Sequence, residues 1–516
     1  MYGGNLMIKS RYNTGLLRMI IVALAVILQV FLISFLVISL RQQSLTMYYV
    51  LAAIGLVEIL VLSEPNRSPA YTFTWMIVIL VLPIIGHLLY LLWGKAPTYS
   101  RKSKAMRALM LEPIRRPIED TEVEKQFIEK YPDKKRIWGY LTREGFPLYE
   151  GTQSKYYPLG EHQFEDMIRD MEKAERFIFI EYFIIGKGHL WSRIYGILRK
   201  KAAEGVEVRV FYDDFGSLIV LPPELMKKNK DGLIQVQAFN PVHKYVSRLY
   251  LNYRNHQKIV VIDGNVGYMG GTNLADEYVN LYEKHGHWKD TALRMEGDAV
   301  WSLTCIFLKM WQAASGGEKE DSLRYKPTVK LENDGYYQPF CDGPVNQPHN
   351  PAESMYKHVI SSAKEYVYIT TPYLVIDDAM INELCLAARS GVDVRIITPR
   401  IWDKWYVHMV THSNYRALME AGVRIYEYTP GYIHAKSVLS DDVHGVMGSI
   451  NMDYRSFYLH FEDGVWVCGS KALKDLKEDM LKTFNVSEEH HLDNWNGRPW
   501  YMKLVQGFFR LFAPLL

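Results

Sequence analysis

Cysteine is scarce in this sequence. Its four residues, Cys305, Cys341, Cys385 and Cys468, form no C-x-x-C pair. The sequence therefore indicates neither a zinc site nor a disulfide framework. Reduced thiols are typical of proteins that face the cytoplasm, and this is where we expect the folded part of the chain to lie.

A strong net charge is also missing. The formal net charge is +3 over 516 residues, which does not by itself indicate nucleic-acid binding, and no basic track interleaved with aromatic residues is present. We therefore expect no nucleic-acid partner. Basic residues are instead concentrated after an apolar segment, at Lys95, Arg101, Lys102, Lys104 and Arg107. Such a cluster attracts anionic lipid headgroups or acts as a plain topology signal.

Long apolar runs are present near the N-terminus. Met19 to Leu40 is long enough, at about 1.5 Å per helical residue, to cross a hydrocarbon layer of ~30 Å. Tyr71 to Trp93 is a second convincing span, whereas Met47 to Leu62 is shorter and contains Glu58. Residues 1–95 are therefore predicted to form a membrane region of two or three transmembrane helices.

The number of crossings stays open. Basic residues lie before the first apolar segment and after the third, and cytoplasmic flanks are enriched in Lys and Arg. Both flanks on one side require an even number of crossings. Either the middle segment is interfacial or re-entrant, or Glu58 is paired inside a bundle of three helices.

Residues 96–150 are charged and contain several prolines, so we predict a basic linker. Beyond it, segments with helical spacing at 164–174 and 190–203 alternate with apolar, β-rich segments at 177–185 and 206–212. This alternation is typical of βαβ units and predicts an α/β fold with a largely parallel sheet.

The second half of the chain repeats landmarks of the first in the same order. Residues 363–369 are similar to 174–180, and residues 391–396 are similar to 205–210. Two copies of one α/β domain explain this repeat, and we assign them to residues 151–320 and 321–516. The second domain ends in an amphipathic tail, Trp500 to Leu516, which lies either in the membrane interface or docked on the core.

A polar motif occurs once in each half. A His and a Lys stand two residues apart before an apolar run, and an Asp and then an Asn follow: His256, Lys258, Asp263 and Asn273, then His434, Lys436, Asp441 and Asn451. Residues two apart on a strand project from the same face, so each His/Lys pair would point into one pocket. A nucleophilic nitrogen, a fixed cation and an amide donor are what the transfer of a phosphorus centre requires.

At these residues the chain resembles the phospholipase D superfamily, whose signature H-x-K-x4-D-x6-G-S-x-N is present twice. The second copy matches throughout, and the first has Gly271 where the signature has Ser. Nearly the whole chain is further similar to bacterial cardiolipin synthases, through segments that include 252–256, 288–291 and 451–456. The resemblance implies two tandem phospholipase D-like domains, related by a pseudo-twofold axis, whose His/Lys pairs face one another across a single site.

The resemblance also implies a role for each residue of the motif. His256 is the expected nucleophile, and His434 is the expected acid and then base. The expected ligands of the phosphate oxygens are Lys258, Lys436, Asn273 and Asn451. These donors supply positive charge, so we expect neither a metal nor another cofactor. Asp263 and Asp441 complete the catalytic signature, and we interpret them as fixing a turn rather than as acid or base.

A nucleophilic imidazole needs an acceptor on its other nitrogen. Glu462 matches a downstream Glu of the family and is expected to orient one histidine. In the first half Glu277 is our candidate, at a different offset from the motif. His460 stands where the family usually has Asn, which puts the role of that position in doubt.

The implied function is that of a cardiolipin synthase: a phosphatidyl group passes from one phosphatidylglycerol to another, and glycerol is released. Its partners would be phosphatidylglycerol and other anionic lipids of a bacterial cell membrane, with a multi-pass anchor and cytoplasmic catalytic domains. Two alternatives stay open. One is a phospholipase D-type hydrolase or headgroup exchanger, and the other is a catalytically silent scaffold that binds anionic lipids. The oligomeric state and the acyl-chain preference stay open as well.

Overall fold

The structure is a computed structural model. It describes residues 49–50, 53–57, 69–82, 85–90, 94, 101–117, 122–226, 232–242, 252–316, 320–346 and 349–515. The predicted span Met19 to Leu40 lies outside these ranges, as does most of Met47 to Leu62. The segment Tyr71 to Trp93 contains helices α1 (Pro69–Val81) and α2 (Ile85–Leu89). None of the helices in the described ranges combines the length and the apolar character needed to cross a bilayer.

The region predicted to be a linker is instead largely helical. It contains α3 (Arg101–Met110), α4 (Glu122–Lys130) and α5 (Lys135–Arg143). Phe127 of α4 is fully buried, and its ring lies 5.2 Å from that of Tyr336 and 5.7 Å from that of Trp466. The charged residues that suggested a linker lie on the outer faces of these helices, whereas a sparse apolar stripe packs on the second half of the chain.

The first sheet of the described chain is built from strands between residues 152 and 297. These are β1 (Thr152–Tyr157), β2 (Phe177–Tyr182), β3 (Glu207–Asp213), β4 (Ile234–Phe239), β6 (Ile259–Ile262), β7 (Val266–Gly270) and β9 (Ala292–Gly297). The spatial order is β1-β9-β7-β6-β2-β3-β4. Two shorter strands of this half, β5 (Arg254–Asn255) and β8 (His287–Lys289), pair with the second half of the chain.

The prediction of a largely parallel sheet is wrong. Only the β2-β3 and β3-β4 pairs are parallel, and the pairs from β1 to β2 are antiparallel. The reason is local. Asp263 and Gly264 adopt positive φ angles of 55° and 73°, which make a tight turn between β6 and β7, and a tight turn joins antiparallel strands.

The second sheet repeats this order with strands between residues 336 and 490. These are β10 (Tyr336–Asp342), β11 (Tyr366–Thr370), β13 (Asp393–Pro399), β14 (Arg424–Tyr428), β16 (Ser437–Ser440), β17 (His444–Gly448), β19 (His460–Cys468) and β20 (Ser487–His490). The order is β10-β19-β17-β16-β11-β13-β14-β20. Apart from the added β20, each strand has a counterpart in the first sheet. The division of the chain near residue 320 remains our proposal.

Helices cover the sheets. In chain order they are α6 (Gly160–Glu172), α7 (His189–Ala203), α8 (Pro223–Met226), α9 (Val300–Ser315), α10 (Pro351–Ser361), α11 (Asp378–Arg389), α12 (Trp405–Glu420), α13 (Tyr454–Tyr458), α14 (Lys471–Asn485), α15 (Leu492–Asn496) and α16 (Trp500–Leu511). Successive residues of β2 serve different cores: Ile178 and Ile180 pack with α6 and α7, whereas Phe177 and Phe179 join a larger core shared with the second half. This shared core joins the two halves.

Short strands cross between the halves. β5 (Arg254–Asn255), in the first half, pairs with β19 of the second. β15 (Gly431–Ile433), in the second half, pairs with β8 (His287–Lys289) of the first. A third short pair, β12 (Leu374–Val375) and β18 (Met452–Asp453), lies within the second half. Each crossing strand leads directly into a His/Lys pair, so the crossings bring the two pairs to the interface of the halves.

The motif aspartates lie at the turns, away from the histidines. The carboxylate of Asp263 accepts the backbone NH groups of Glu175, Arg176 and Phe177 at 2.7–2.9 Å. Asp441 accepts those of residues 364–366 in the same way. Burial alone would raise the pKa of Asp441, but these hydrogen bonds lower it below its ordinary value. Both aspartates tie a hairpin turn to the start of the central strand.

We expect Asp263→Ala to reduce stability by about 3 kcal/mol, because three backbone NH groups lose a charged acceptor. Thermal unfolding of the full chain measures the loss, and Asp441→Ala should give a similar one. Glu283→Ala, which changes an exposed carboxylate, is the matched control and should leave the unfolding midpoint unchanged. Full stability with loss of activity in Asp263→Ala would contradict the turn-fixing role and favour a chemical one.

Candidate active site

His256 is held by the second half of the chain. Its backbone NH donates to the carbonyl oxygen of Phe461 at 2.8 Å. Its Nδ1 donates to the carboxylate of Glu462, at 2.9 Å from each oxygen. Glu462 is fully buried. Because Nδ1 carries the proton, the lone pair of Nε2 is available to attack an electrophile.

His434, in the second half of the chain, is held by residues of the first half. Its backbone NH donates to the carbonyl oxygen of Lys289 at 2.7 Å, and its Nδ1 lies 2.6 Å from Oδ2 of the buried Asp290. Each histidine is therefore paired with a carboxylate from the opposite half of the chain. The ring of His434 lies among the aromatic side chains of Tyr278, Trp288 and Tyr432.

Asp290 and Glu462 occupy equivalent places in the two sheets. Gly270 at the end of β7 pairs with Ala292, and Gly448 at the end of β17 pairs with Gly464. Each acid lies two residues before the paired residue, on the same side of its strand. The signal for Asp290 was present in the sequence, since the segment 288–291 carries part of the resemblance, but its role requires the register of the sheet.

The structure does not place Glu277 against a histidine. Its carboxylate lies 3.9 Å from Nζ of Lys284, and the residue belongs to a 3-10 turn, Asp276–Val279. Asp290 holds the position that we expected Glu277 to hold. Strand pairing is the physical reason: β8 runs beside β15, so the residue after β8, and not the turn before it, lies next to His434.

The departure from the signature at Gly271 has a steric cause. A Cβ atom at this position would overlap the carboxylate of Asp290. At the equivalent position of the second half, the hydroxyl of Ser449 donates to Glu462. An aspartate keeps its carboxylate closer to its own backbone than a glutamate does, so Asp290 requires a glycine beside it.

Lys258 and Lys436 are buried, with 2% and 0% of their surfaces exposed. Each donates to the carbonyl oxygen of the histidine two residues earlier, Lys258 to His256 at 2.5 Å. Burial lowers the pKa of Lys258 to about 8 and that of Lys436 to about 7, against the opposing attraction of nearby carboxylates. The two ammonium groups are therefore poised for a partner that brings negative charge.

The site disfavours the charged form of both imidazoles. Burial, Lys258 and Lys436 hold the pKa of His256 well below its usual range. Burial and Lys436 likewise lower the pKa of His434 to about 4, although Asp290 opposes them. The ordinary imidazole pKa of about 6.5 therefore does not describe either histidine in the free site. An anionic phosphodiester between the lysines would offset their charge and raise the pKa of His434.

A group with metal-ligating atoms lies inside the site: His256, His460 and Glu462. The lysines that lower the pKa of His256 create a positive potential at this position, and the same potential opposes a metal cation. The arrangement suits an anion better. His460 lies with its ring 5.4 Å from that of His256, its Nδ1 lies 3.7 Å from Glu462, and its Nε2 accepts from Arg455.

The two motif asparagines are placed differently. Asn273 accepts the backbone NH of Ile184 at 3.1 Å and donates to the hydroxyl of Tyr278 at 2.7 Å. Asn451 is buried, and its side-chain oxygen has no hydrogen-bond partner among the described residues. The structure therefore brings Asn273 beside an aromatic wall of the site and leaves Asn451 open to a further polar group.

The fold and the duplicated His/Lys site define a phospholipase D-like enzyme. Residues 167–311 and 356–484 match the family model described as "Cardiolipin synthase, PLD-like domain", and residues 50–95 match one described as "Phospholipase D-nuclease N-terminal". The chain belongs to the cardiolipin synthase family, and it is a phosphatidyltransferase.

Individual relatives are similar over most of the chain. A protein of Halalkalibacterium halodurans named cardiolipin synthase is 32% identical over 457 residues, which is 87% of this chain and 90% of that protein. A Streptococcus mutans protein named only as uncharacterized is 38% identical over 89% of this chain and 99% of its own length. The solved phosphatidylserine synthase of Haemophilus influenzae shares the fold, with a TM-score of 0.55 and 14% identity over 72% of this chain and 97% of that one.

We expect Asp290→Asn to lower kcat about a hundredfold with a small change in KM, because His434 loses the charge that orients its ring and stabilises its imidazolium. Steady-state kinetics on a phospholipid substrate measure the split between kcat and KM. Glu277→Gln is the matched control and should keep nearly full activity. The reverse pattern, an impaired Glu277 variant beside an active Asp290 variant, would contradict the assignment.

We also expect kcat/KM to fall as pH rises through about 7, because free Lys436 then loses the proton with which it binds an anionic phosphodiester. The sign follows from binding: the substrate anion favours the protonated amine, so affinity is highest below the pKa of Lys436. A pH profile of kcat/KM measures this limb, and thermal unfolding at each pH excludes denaturation. A profile that stays flat up to the ordinary lysine pKa of about 10.4 would contradict it.

Proposed function

We propose that the protein transfers a phosphatidyl group from one phosphatidylglycerol to a second, releasing glycerol and forming cardiolipin. The observation that carries the proposal is the pair of His/Lys motifs in one buried site, each histidine oriented by a carboxylate of the opposite half. One such pair serves a single attack. Two oriented imidazoles allow one to attack while the other handles the proton.

In the first proposed step, Nε2 of His256 attacks the phosphorus of a bound phosphatidylglycerol. A P–N bond forms and the P–O bond to the glycerol headgroup breaks, while His434 gives its proton to the departing glycerol oxygen. Glu462 stabilises the positive charge that develops on the imidazole of His256. The ammonium groups of Lys258 and Lys436 bind the non-bridging oxygens, and Asn273 and Asn451 complete the expected set of donors.

In the second proposed step the acceptor is a hydroxyl group of another phosphatidylglycerol. Neutral His434 takes the proton of this hydroxyl, its oxygen attacks phosphorus, and the P–N bond to His256 breaks. Cardiolipin leaves, His256 is neutral again, and His434 holds the proton for the next cycle. The lowered pKa of His256 suits it to attack as a neutral nucleophile at physiological pH.

A lipid acceptor also fits the surroundings of the site. The side chain of Lys404 is about half exposed, and its charge reaches His256, so we place the loop that carries it at the entrance of the site. Trp402 in this loop and Trp405, the first residue of α12, are about half exposed, and exposed tryptophans are typical of a membrane interface. We propose that lipids enter past this loop. N-terminal transmembrane helices would anchor the protein in a bacterial cell membrane, with the catalytic halves in the cytoplasm.

The full chain is assayed in vesicles whose sole phospholipid is phosphatidylglycerol labelled in its headgroup. We expect cardiolipin and free glycerol in equal amounts, because each transfer releases one headgroup. His256→Ala should abolish both products. Alkaline denaturation after reaction with phosphorus-labelled lipid should leave label on the wild-type chain and none on this variant, since a P–N bond has no site to form there.

Each other outcome separates an alternative. Phosphatidic acid with glycerol would make water the acceptor and the protein a hydrolase. Headgroup exchange with an added soluble alcohol, in preference to cardiolipin, would make it a general transphosphatidylase. No turnover would favour the silent scaffold. Full activity of His256→Ala with loss in His434→Ala would reverse the two histidine roles.

A further inference from the structure

A second polar cavity lies between α12 and α16, apart from the catalytic histidines. It has a volume of about 240 Å³. Its lining combines basic groups with a buried amide: Arg416, Arg498, Lys503, Arg510, His412 and Gln506. No carboxylate belongs to this lining in the described part of the chain. Four basic side chains around one small cavity favour an anion with several oxygens.

The inner wall of the cavity presents hydrogen-bond donors without acceptors. Gln506 is the buried residue of α16, with 8% of its surface exposed, and its Nε2 has no partner among the described residues. Nη1 of Arg498 is likewise buried without a partner there. Buried donors in native proteins are nearly always satisfied by protein, water or a ligand. These two would both be satisfied by one anion in the cavity.

Arg498 is fixed in place. Its Nη2 donates to Nδ1 of His412 at 3.2 Å, and its guanidinium lies 3.7 Å from the ring centre of Trp495. Nε2 of His412 in turn bonds the carboxylate of Glu427 at 2.7 Å. Because these contacts occupy one edge and one face of the guanidinium, the remaining edge is oriented in advance for a ligand.

Two of the other cations, Arg416 and Arg510, are held by weak surface pairs. Arg416 donates to Glu420, four residues along α12, and Arg510 lies 3.4 Å from the exposed Asp378. Exposed ion pairs of this kind contribute little to stability. An anion in the cavity would therefore replace these ion pairs at a small cost in free energy.

The outer face of α16 is apolar. Its exposed large side chains are Trp500, Tyr501, Leu504, Phe508 and Leu511. The N-terminal apolar helix α1 reaches the same region, since the hydroxyl of Thr74 donates to the carbonyl oxygen of Leu511 at 2.8 Å. A helix with basic residues beside such an apolar face is typical of the membrane interface. With this face in the membrane interface, the cavity would lie at the level of lipid headgroups.

We propose that this cavity binds the phosphate of an anionic phospholipid at a site separate from the catalytic centre. The phosphate lies among Arg498, Lys503, Arg510 and the amide of Gln506, and the acyl chains lie along the exposed apolar residues of α16. The bound lipid holds α16, and with it the start of α12 and the neighbouring Trp402, against the bilayer. Ring contact between Trp405 and Phe509, at 5.0 Å, joins the two elements.

The test uses the full chain with His256→Ala, so that lipid is bound and not consumed. Native mass spectrometry in detergent measures the occupancy of added dioleoyl phosphatidylserine and, separately, of dioleoyl phosphatidylcholine. We expect one anionic lipid to be retained in excess of phosphatidylcholine. Lys503→Gln with Arg510→Gln should weaken that binding about tenfold or more, because two cations near the headgroup are lost.

Lys173→Gln with Lys200→Gln removes the same charge from exposed positions of the first half and is the control. An equal loss in this control, or no loss in the cavity variant, would overturn the proposal. Gln506→Leu keeps the net charge and should also weaken retention. Competition by inorganic phosphate alone, as strong as that by the lipid, would show a free-phosphate pocket and overturn the lipid assignment. Catalytic turnover of chains that retain His256 is scored separately, so this result does not depend on the proposed transfer reaction.

Discussion

The pairing of each catalytic histidine with a carboxylate from the opposite half is the interaction on which the site depends. Glu462 reaches His256 across 206 residues of sequence, and Asp290 reaches His434 across 144. The crossing strands β5 and β15 make both contacts possible, because each supplies backbone hydrogen bonds to the other half immediately before its histidine. Buried lysines and carboxylates are costly alone, and the attraction between the two kinds of charge offsets part of that cost. Neither half could keep this charge balance by itself.

The charge of the site and the apolar residues on the nearby surface favour the same kind of substrate. Burial lowers the pKa of both lysines and both histidines, so the free site carries its positive charge at a cost that an anion relieves. Trp402 and Trp405 expose their indole rings, and the C-terminal helix, which contacts Trp405, exposes an apolar face. A substrate that is anionic at one end and apolar at the other matches both features. A water-soluble phosphodiester would bind the charged groups but would make no contact with the apolar surface.

Much of this could be predicted from the sequence, because the information was local or repeated. The alternation of helices and strands, the duplicated motif and the turn-fixing aspartates each follow from spacing within a few residues. The antiparallel majority of each sheet was missed because the alternation of helices and strands was given more weight than the short Asp263-Gly264 connection, which is itself typical of a hairpin. The helices between residues 101 and 143 were hidden by their charged outer faces. Asp290 was missed because its role depends on the register between β8 and β15, which joins residues remote in sequence.

The glycine at position 271 links two choices that look independent in a signature. With Asp290 beside it, a serine there has no space, whereas Ser449 beside Glu462 gains a hydrogen bond. The effects of substitutions at the two positions are therefore epistatic. To change the Asp290 and Gly271 pair into the Glu and Ser pair of the second half, one residue must change first. The single-substitution intermediate then either has a steric clash or leaves a gap. Such coupling would let the two halves of a duplicated domain drift apart in chemistry while keeping one fold. It offers a structural route by which two histidines of common origin come to do different work.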